Sequence, residues 1–234
     1  MNTIRAKSPL LWITTNVLIT WSAAVGAFFT SMAQAEWYVG GYGGIANPGA
    51  FSNVTASNLG VGNGFTNARL NDLELKSTFV GGAKGGYFFE SKPWLGLETD
   101  VYTLKPTVKS QTVIGGTSSG TVFAENIGPI PLQLTTWAID LIIRSPSLSE
   151  VFQPYGGMGY GLFFASSSKN GQSNLNISPG FNLIAGARYA LSPQWAFFGE
   201  FKFNRATIRF SDIRGNYDSQ LFVFGLMWHN RDKY

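Results

Sequence analysis

The sequence predicts an all-β protein, an eight-stranded antiparallel up-and-down transmembrane β-barrel, and three observations predict it. Only 13% of the 234 residues are charged, about half the share of an ordinary soluble domain, while 15% are aromatic and 28 are glycine. From Glu36 onward the chain repeats segments of about ten residues with period-two alternation and shows no apolar stripe at helical spacing. The connections between these segments alternate strictly between long and short.

The same composition excludes other classes. With no cysteine there is no disulfide scaffold, and the aromatic content is too high for a disordered chain. The glycines lack the three-residue period of collagen, and a bundle of membrane helices would need several apolar runs of about 20 residues. A water-soluble β-sandwich is the competing architecture, but it would carry a more ordinary total charge.

Residues 1–35 read as an export signal. Arg5 and Lys7 supply the positive start, Leu10 to Phe29 is mostly apolar, and Ala33-Gln34-Ala35 places small residues at the cleavage site. Cleavage is expected after Ala35, leaving residues 36–234 as one barrel domain. No cysteine follows, so a lipid-anchored lipoprotein is not expected. Removing Arg5 and Lys7 lowers the formal charge from +4 to +2. The basic balance therefore gives no reason to expect a nucleic-acid partner.

Eight strands are expected near Glu36 to Ala46, Glu74 to Phe89, Trp94 to Lys105, Leu132 to Arg144, Gln153 to Ala165, Gly180 to Leu191, Gln194 to Arg209 and Tyr217 to His229. Glu90 to Pro93, Ser145 to Glu150 and Ser192-Pro193 are tight, proline-bearing turns. Asn47 to Leu73, Pro106 to Pro131, Ser166 to Pro179 and the shorter Phe210 to Asn216 are polar loops at the opposite end. Outer-membrane barrels keep short turns in the periplasm and long loops outside the cell.

Two faces emerge from the alternation. In the seventh strand Trp195, Phe197, Gly199, Phe201 and Phe203 share one face, and Glu200, Lys202 and Asn204 the other. The third sets Leu95, Leu97, Thr99 and Val101 against Glu98, Asp100 and Tyr102; the fourth sets Trp137, Ile139, Leu141 and Ile143 against Asp140 and Arg144. In the sixth, Phe181, Leu183, Ala185, Ala187, Tyr189 and Leu191 oppose Asn182, Gly186 and Arg188. On a soluble sheet those charges would face water. In an eight-stranded membrane barrel they fill the lumen, where isolated charges are costly unless paired. The expected lumen ion-pair network is Lys84, Arg144, Arg188 and Lys202 against Glu98, Asp100, Asp140 and Glu200, four of each sign. Aromatics cluster beside the tight turns and the chain termini. Trp37, Trp94, Tyr155, Tyr189, Trp195 and Trp228 are expected at the membrane interface, with Tyr38, Phe88 and Phe89 beside them.

These residues resemble the eight-stranded outer-membrane β-barrels of the OmpA and OmpX type. Glu-Trp-Tyr-Val-Gly-Gly-Tyr-Gly-Gly from Glu36 is similar to their opening strand. Gly-Gly-Ala-Lys-Gly-Gly-Tyr from Gly81, Leu-Gly-Leu-Glu-Thr-Asp from Leu95 and Pro-Tyr-Gly-Gly-Met-Gly-Tyr-Gly from Pro154 resemble their second, third and fifth strands. Phe222-Val-Phe-Gly-Leu-Met-Trp228 resembles the alternating signal read by the outer-membrane insertion machinery, with either Trp228 or Tyr234 ending it. The resemblance implies a Gram-negative outer-membrane location, contact with membrane lipid and lipopolysaccharide, and recognition through external loops. No second domain is expected after the barrel, and so no counterpart of the peptidoglycan-binding part of full-length OmpA proteins is expected.

Chemistry is weakly supported. Barrel enzymes that modify lipid A rely on a histidine with a nearby serine and carboxylate. His229, the single histidine, sits at the periplasmic end and reads as interfacial or solvated. Glu98 and Asp100 read as ion-pair partners rather than catalytic carboxylates. No enzyme activity, metal or cofactor is expected, and one histidine without cysteine leaves no zinc constellation. The alternative to a scaffold is a narrow or gated small-solute channel, since open porins use 16 to 18 strands. Arg205, Arg209 and Arg214 lie at or above the expected outer rim, where they either contact lipid phosphates or are simply solvated.

Overall fold

The computed structural model describes residues 36–56, 68–116, 122–145, 151–169, 172–210 and 213–230. The expected export signal, most of the Ser145–Glu150 turn and Tyr234 lie outside these residues. The described chain is all β. The strands are β1 (Glu36–Pro48), β2 (Ser52–Ala56), β3 (Ala68–Leu70), β4 (Thr78–Phe89), β5 (Lys92–Leu104), β6 (Thr107–Val108), β7 (Gln111–Gly116), β8 (Val122–Ile127), β9 (Ile130–Arg144), β10 (Phe152–Lys169), β11 (Gln172–Ala190), β12 (Trp195–Phe210) and β13 (Ile213–His229).

Eight of them close a barrel. β1, β4, β5, β9, β10, β11, β12 and β13 pair antiparallel in that order, and β13 returns to β1 from Tyr38↔His229 to Pro48↔Ser219. The registers fix its shape. Starting at Gly40, successive partners are Lys84, Asp100, Ala138, Gly161, Gly180, Ala206 and Tyr217, whereas Gly40 itself pairs with Met227. One circuit is thus displaced by ten residues along β13. With eight strands, standard spacings turn this shear into a tilt of about 41° and a backbone radius of about 8 Å, a lumen only wide enough for side chains.

Period-two alternation makes the two faces. Along β12, Glu200, Lys202, Asn204, Ala206 and Ile208 are buried while Trp195 and Phe197 are exposed. Val39, Ile139, Leu141, Met158, Tyr160, Phe222, Phe224 and Leu226 continue the apolar belt around the outside. Exposed large hydrophobic side chains all round a barrel with a charged interior invert the pattern of a water-soluble protein.

The long connections are more ordered than their composition suggests. β1 stops at Pro48, and above it the free edge of β13 is taken by β2, which pairs in turn with β3, β7 and β8. The loops expected over Asn47–Leu73 and Pro106–Pro131 therefore contain a sheet continuing the barrel wall. A bulge lies between β13 and β2 at Arg214/Asn216, and Asn53, with φ 52°, takes the left-handed conformation there. The loops expected over Ser166–Pro179 and Phe210–Asn216 are largely paired as well. β10 and β11 stay in register to Lys169↔Gln172, and β12 and β13 to Phe210↔Ile213. Polar strands above a membrane have no reason to alternate in hydropathy, so their pairing leaves little trace in the sequence. Phe51, Val54, Leu73, Val108 and Val113 are buried and continue the core above the lumen.

Candidate functional site in the barrel interior

The middle of the lumen is a closed charge network. Lys84 Nζ lies 3.1 Å from Glu98 Oε2 and is also bonded to Glu200. Lys202 Nζ is bonded to Asp100 and lies 3.2 Å from Glu200 Oε2. These side chains are at most 1% exposed. Three tyrosines also donate to these carboxylates: Tyr38 to Glu98 Oε2 at 2.7 Å, Tyr42 to Asp100 Oδ1 at 2.6 Å and Tyr155 to Glu200 Oε1 at 2.5 Å. The ammonium of Lys84 also sits 4.3 Å above the Phe198 ring, and that of Lys202 4.9 Å above Tyr42. In a space this dry, such pairing is what makes ionised side chains tolerable.

Glycine makes room for these tyrosines. Tyr38 is registered opposite Gly86, Tyr42 opposite Gly82 and Tyr155 opposite Gly186. A Cβ at Gly82 would sit 2.6 Å from Tyr42 Cζ, and one at Gly86 2.7 Å from Tyr38 Cζ. The ring lies flat across the neighbouring strand and carries its hydroxyl to a carboxylate two strands away. The glycine pairs and the inward tyrosines are one device.

A second layer closes the end that carries Glu36 and His229. Arg144 Nη2 lies 2.6 Å from Glu36 Oε2, and Arg188 Nη1 3.1 Å from Glu36 Oε1. Arg144 Nε donates to the Pro93 carbonyl at 2.6 Å, and Arg188 Nε to Gln153 Oε1 at 2.8 Å. The Arg144 guanidinium stacks 3.6 Å over the Phe88 ring. His229 is buried, with Nδ1 3.1 Å from Glu36 Oε1. Between the layers, Tyr38, Lys84, Phe88, Arg144, Tyr155 and Arg188 help line a void of about 10 Å³, space for about one water molecule.

All eight residues expected in the lumen network are buried there, but they are not partnered as four against four. Arg144 and Arg188 pair with Glu36, a carboxylate absent from the expected set. Asp140, opposite Glu98 in register, has no cation within ion-pair distance among the described residues; Asn182 Nδ2 donates to it at 2.9 Å. Among the described residues, five carboxylates thus face four lysines and arginines, with His229 beside Glu36.

Two further expectations are corrected. Tyr155 does not stand at the lipid interface: its phase on β10 is opposite to that of exposed Met158, Tyr160 and Leu162, so it points inward to Glu200. Tyr38 and Phe88 turn inward for the same reason. His229 is not solvated, because it shares the inward phase of Leu221, Val223 and Met227 on β13. Glu36 lies in phase with Tyr38 and Tyr42, and that phase is the sequence signal that points it inward. Trp94, Tyr189 and Trp195 are exposed on the outside, at the end of the barrel bearing the tight turns. Trp37 and Trp228 meet there edge to face, ring centroids 5.0 Å apart. Among the described residues no group of three His, Cys, Asp or Glu is disposed to hold a metal ion.

A family model described as the outer membrane protein beta-barrel domain matches residues 21–229. Comparison with curated protein sequences gives no match. Among solved structures, Neisserial surface protein A resembles this chain with a TM-score of 0.55 at 16% identity, over 83% of this chain and 99% of that one. OprG, an outer membrane protein of Pseudomonas aeruginosa, aligns over 85% of this chain and 97% of its own at 12% identity, with a TM-score of 0.49. At such identities the likeness concerns the fold.

Proposed function

Since the chain belongs to the outer membrane protein beta-barrel family and lies in the bacterial outer membrane, we propose that it is a non-enzymatic, plugged scaffold whose external face carries recognition. The observation that carries this reading is the doubly tied lumen. Lys84, Lys202, Arg144 and Arg188 each bind carboxylates supplied by other strands, so a solute path would require breaking several buried ion pairs together. The external sheet of β2, β3, β7 and β8 is then the displayed surface, since binding usually resides in segments held on a rigid frame. Adhesion, surface protection and contact with lipopolysaccharide are the roles such a face serves. The outward row Phe222, Phe224, Leu226 and Trp228 on β13 serves as the insertion signal, and residues 1–35 as the cleaved export signal. Planar-bilayer recording of the refolded chain tests the plug. No steady ion-sized conductance is expected, and a steady one would replace this reading with a narrow channel.

A further inference from the structure

The outward face of the β12–β13 hairpin is apolar up to Phe203 and Phe222 and then becomes charged. Arg205 and Asp218 come first, opposite each other and joined by Nε and Nη2 bonds of 2.7 Å each. Four residues beyond Arg205, Arg209 is registered directly opposite Arg214, and both are exposed. Like charges in that position weaken an antiparallel pair. The same row continues across the external sheet: Arg214 is opposite Thr55 on β2, and Thr55 opposite Arg69 on β3. Thr55 and Arg69 are exposed on the same face, while Val54, Ala56 and Ala68 are buried on the other. Among the described residues, no carboxylate lies within ion-pair distance of Arg69, Arg209 or Arg214.

Three guanidinium groups with no carboxylate partner among the described residues thus occupy one row about 14 Å wide, three strand spacings from β12 to β3. At the barrel's tilt Arg209, at one end of the row, stands about 15 Å above Phe203, the last apolar ring beneath it on β12. It lies on the lipid-facing side of the wall, not on the top of the molecule. What meets it sideways is the headgroup layer of neighbouring lipid, and a soluble polyanion would have to enter that layer to reach it.

We propose that Arg69, Arg209 and Arg214 bind phosphate groups of outer-leaflet lipopolysaccharide. The proposal rests on the outer-membrane scaffold reading and names a partner for its external face. Guanidinium forks match phosphate in two-point geometry, and a bound phosphate relieves the Arg209/Arg214 repulsion. Arg205 is not part of the site, because Asp218 already engages its fork. Arg69 lies inside an expected loop and joins the row only through folding.

The test uses the full chain refolded in detergent, with purified lipopolysaccharide, the same material chemically dephosphorylated, and heparin as probes. The variants are Arg69→Gln/Arg209→Gln/Arg214→Gln and, as a surface control that removes one exposed cation, Lys109→Gln. The triple variant is expected to bind lipopolysaccharide on the order of 10- to 100-fold more weakly, with Lys109→Gln close to the unmodified chain. Dephosphorylated lipopolysaccharide should bind the unmodified chain about as weakly as intact material binds the triple variant. A triple variant within twofold of the unmodified chain, indifference to dephosphorylation, or arginine-dependent binding of heparin alone overturns the proposal. Heat-modifiable gel mobility is read on every sample. If the unmodified chain shows none, the scaffold reading itself falls; if all samples show it and the arginines do not matter, only this assignment falls.

Discussion

Replacing Lys84 with methionine removes the only cation within ion-pair distance of Glu98 among the described residues, and one of two for Glu200. Glu98 is left with the Tyr38 hydroxyl, whereas Glu200 keeps Lys202 and Tyr155. Breaking a buried pair from one side typically costs about 3–5 kcal/mol, and complete burial of the Lys84 ammonium places this case in that range. The lost contact with the Phe198 ring adds about 1 kcal/mol. The double variant Lys84→Met/Glu98→Gln removes the orphaned charge and is expected to recover more than half of the loss. The assay is reversible urea unfolding in lipid vesicles, followed by tryptophan fluorescence and checked by heat-modifiable mobility. A single-variant cost below about 1 kcal/mol, or a double variant no better than the sum of its single variants, would refute the view that paired burial governs this interior.

Two further predictions probe different parts of the same wall. Gly82→Ala places a methyl against the Tyr42 ring and should lift its hydroxyl from Asp100, lowering stability by about 1–3 kcal/mol in the same urea assay; an unchanged midpoint would contradict the ring-over-glycine packing. Phe201→Arg puts a charge on the lipid face where Phe201 meets Phe222 at 5.2 Å, and a loss of about 2–4 kcal/mol is expected in vesicles. A neutral result there would mean that this face does not meet the hydrocarbon.

Much of the interior is legible in the amino-acid order, for a simple reason. Period two assigns every residue of a strand to a face as soon as one residue is placed, so Glu98 and Asp100 or Glu200 and Lys202 declare themselves together. What alternation does not contain is the shear. Which carboxylate meets which cation depends on how far each strand slides along its neighbour, and the ten-residue displacement is a property of the closed circuit. Alternation therefore puts Arg144 and Arg188 in the right cavity but with the wrong partners. Tyr155 and His229 depart from expectation for a different reason: both stand beside a turn, where aromatic character suggests the interface, yet strand phase decides their direction and is readable. The external sheet is illegible because its strands are short and its outward positions mix polar residues with exposed Ile114 and Val122, which leaves too little contrast for a pattern.

The closing seam has a kinetic consequence. β1 and β13 pair at opposite ends of the chain, and Glu36 reaches Arg144 and Arg188 across 108 and 152 residues. Contacts of such sequence separation pay most of the loop-closure entropy and form late. Until they form, two arginines and a carboxylate wait without one another in a half-made wall, and every pairing short of closure leaves an open strand edge. The last ladder to zip is therefore also the one that neutralises the lower lumen. Completion of the barrel becomes a single cooperative act rather than a gradual annealing.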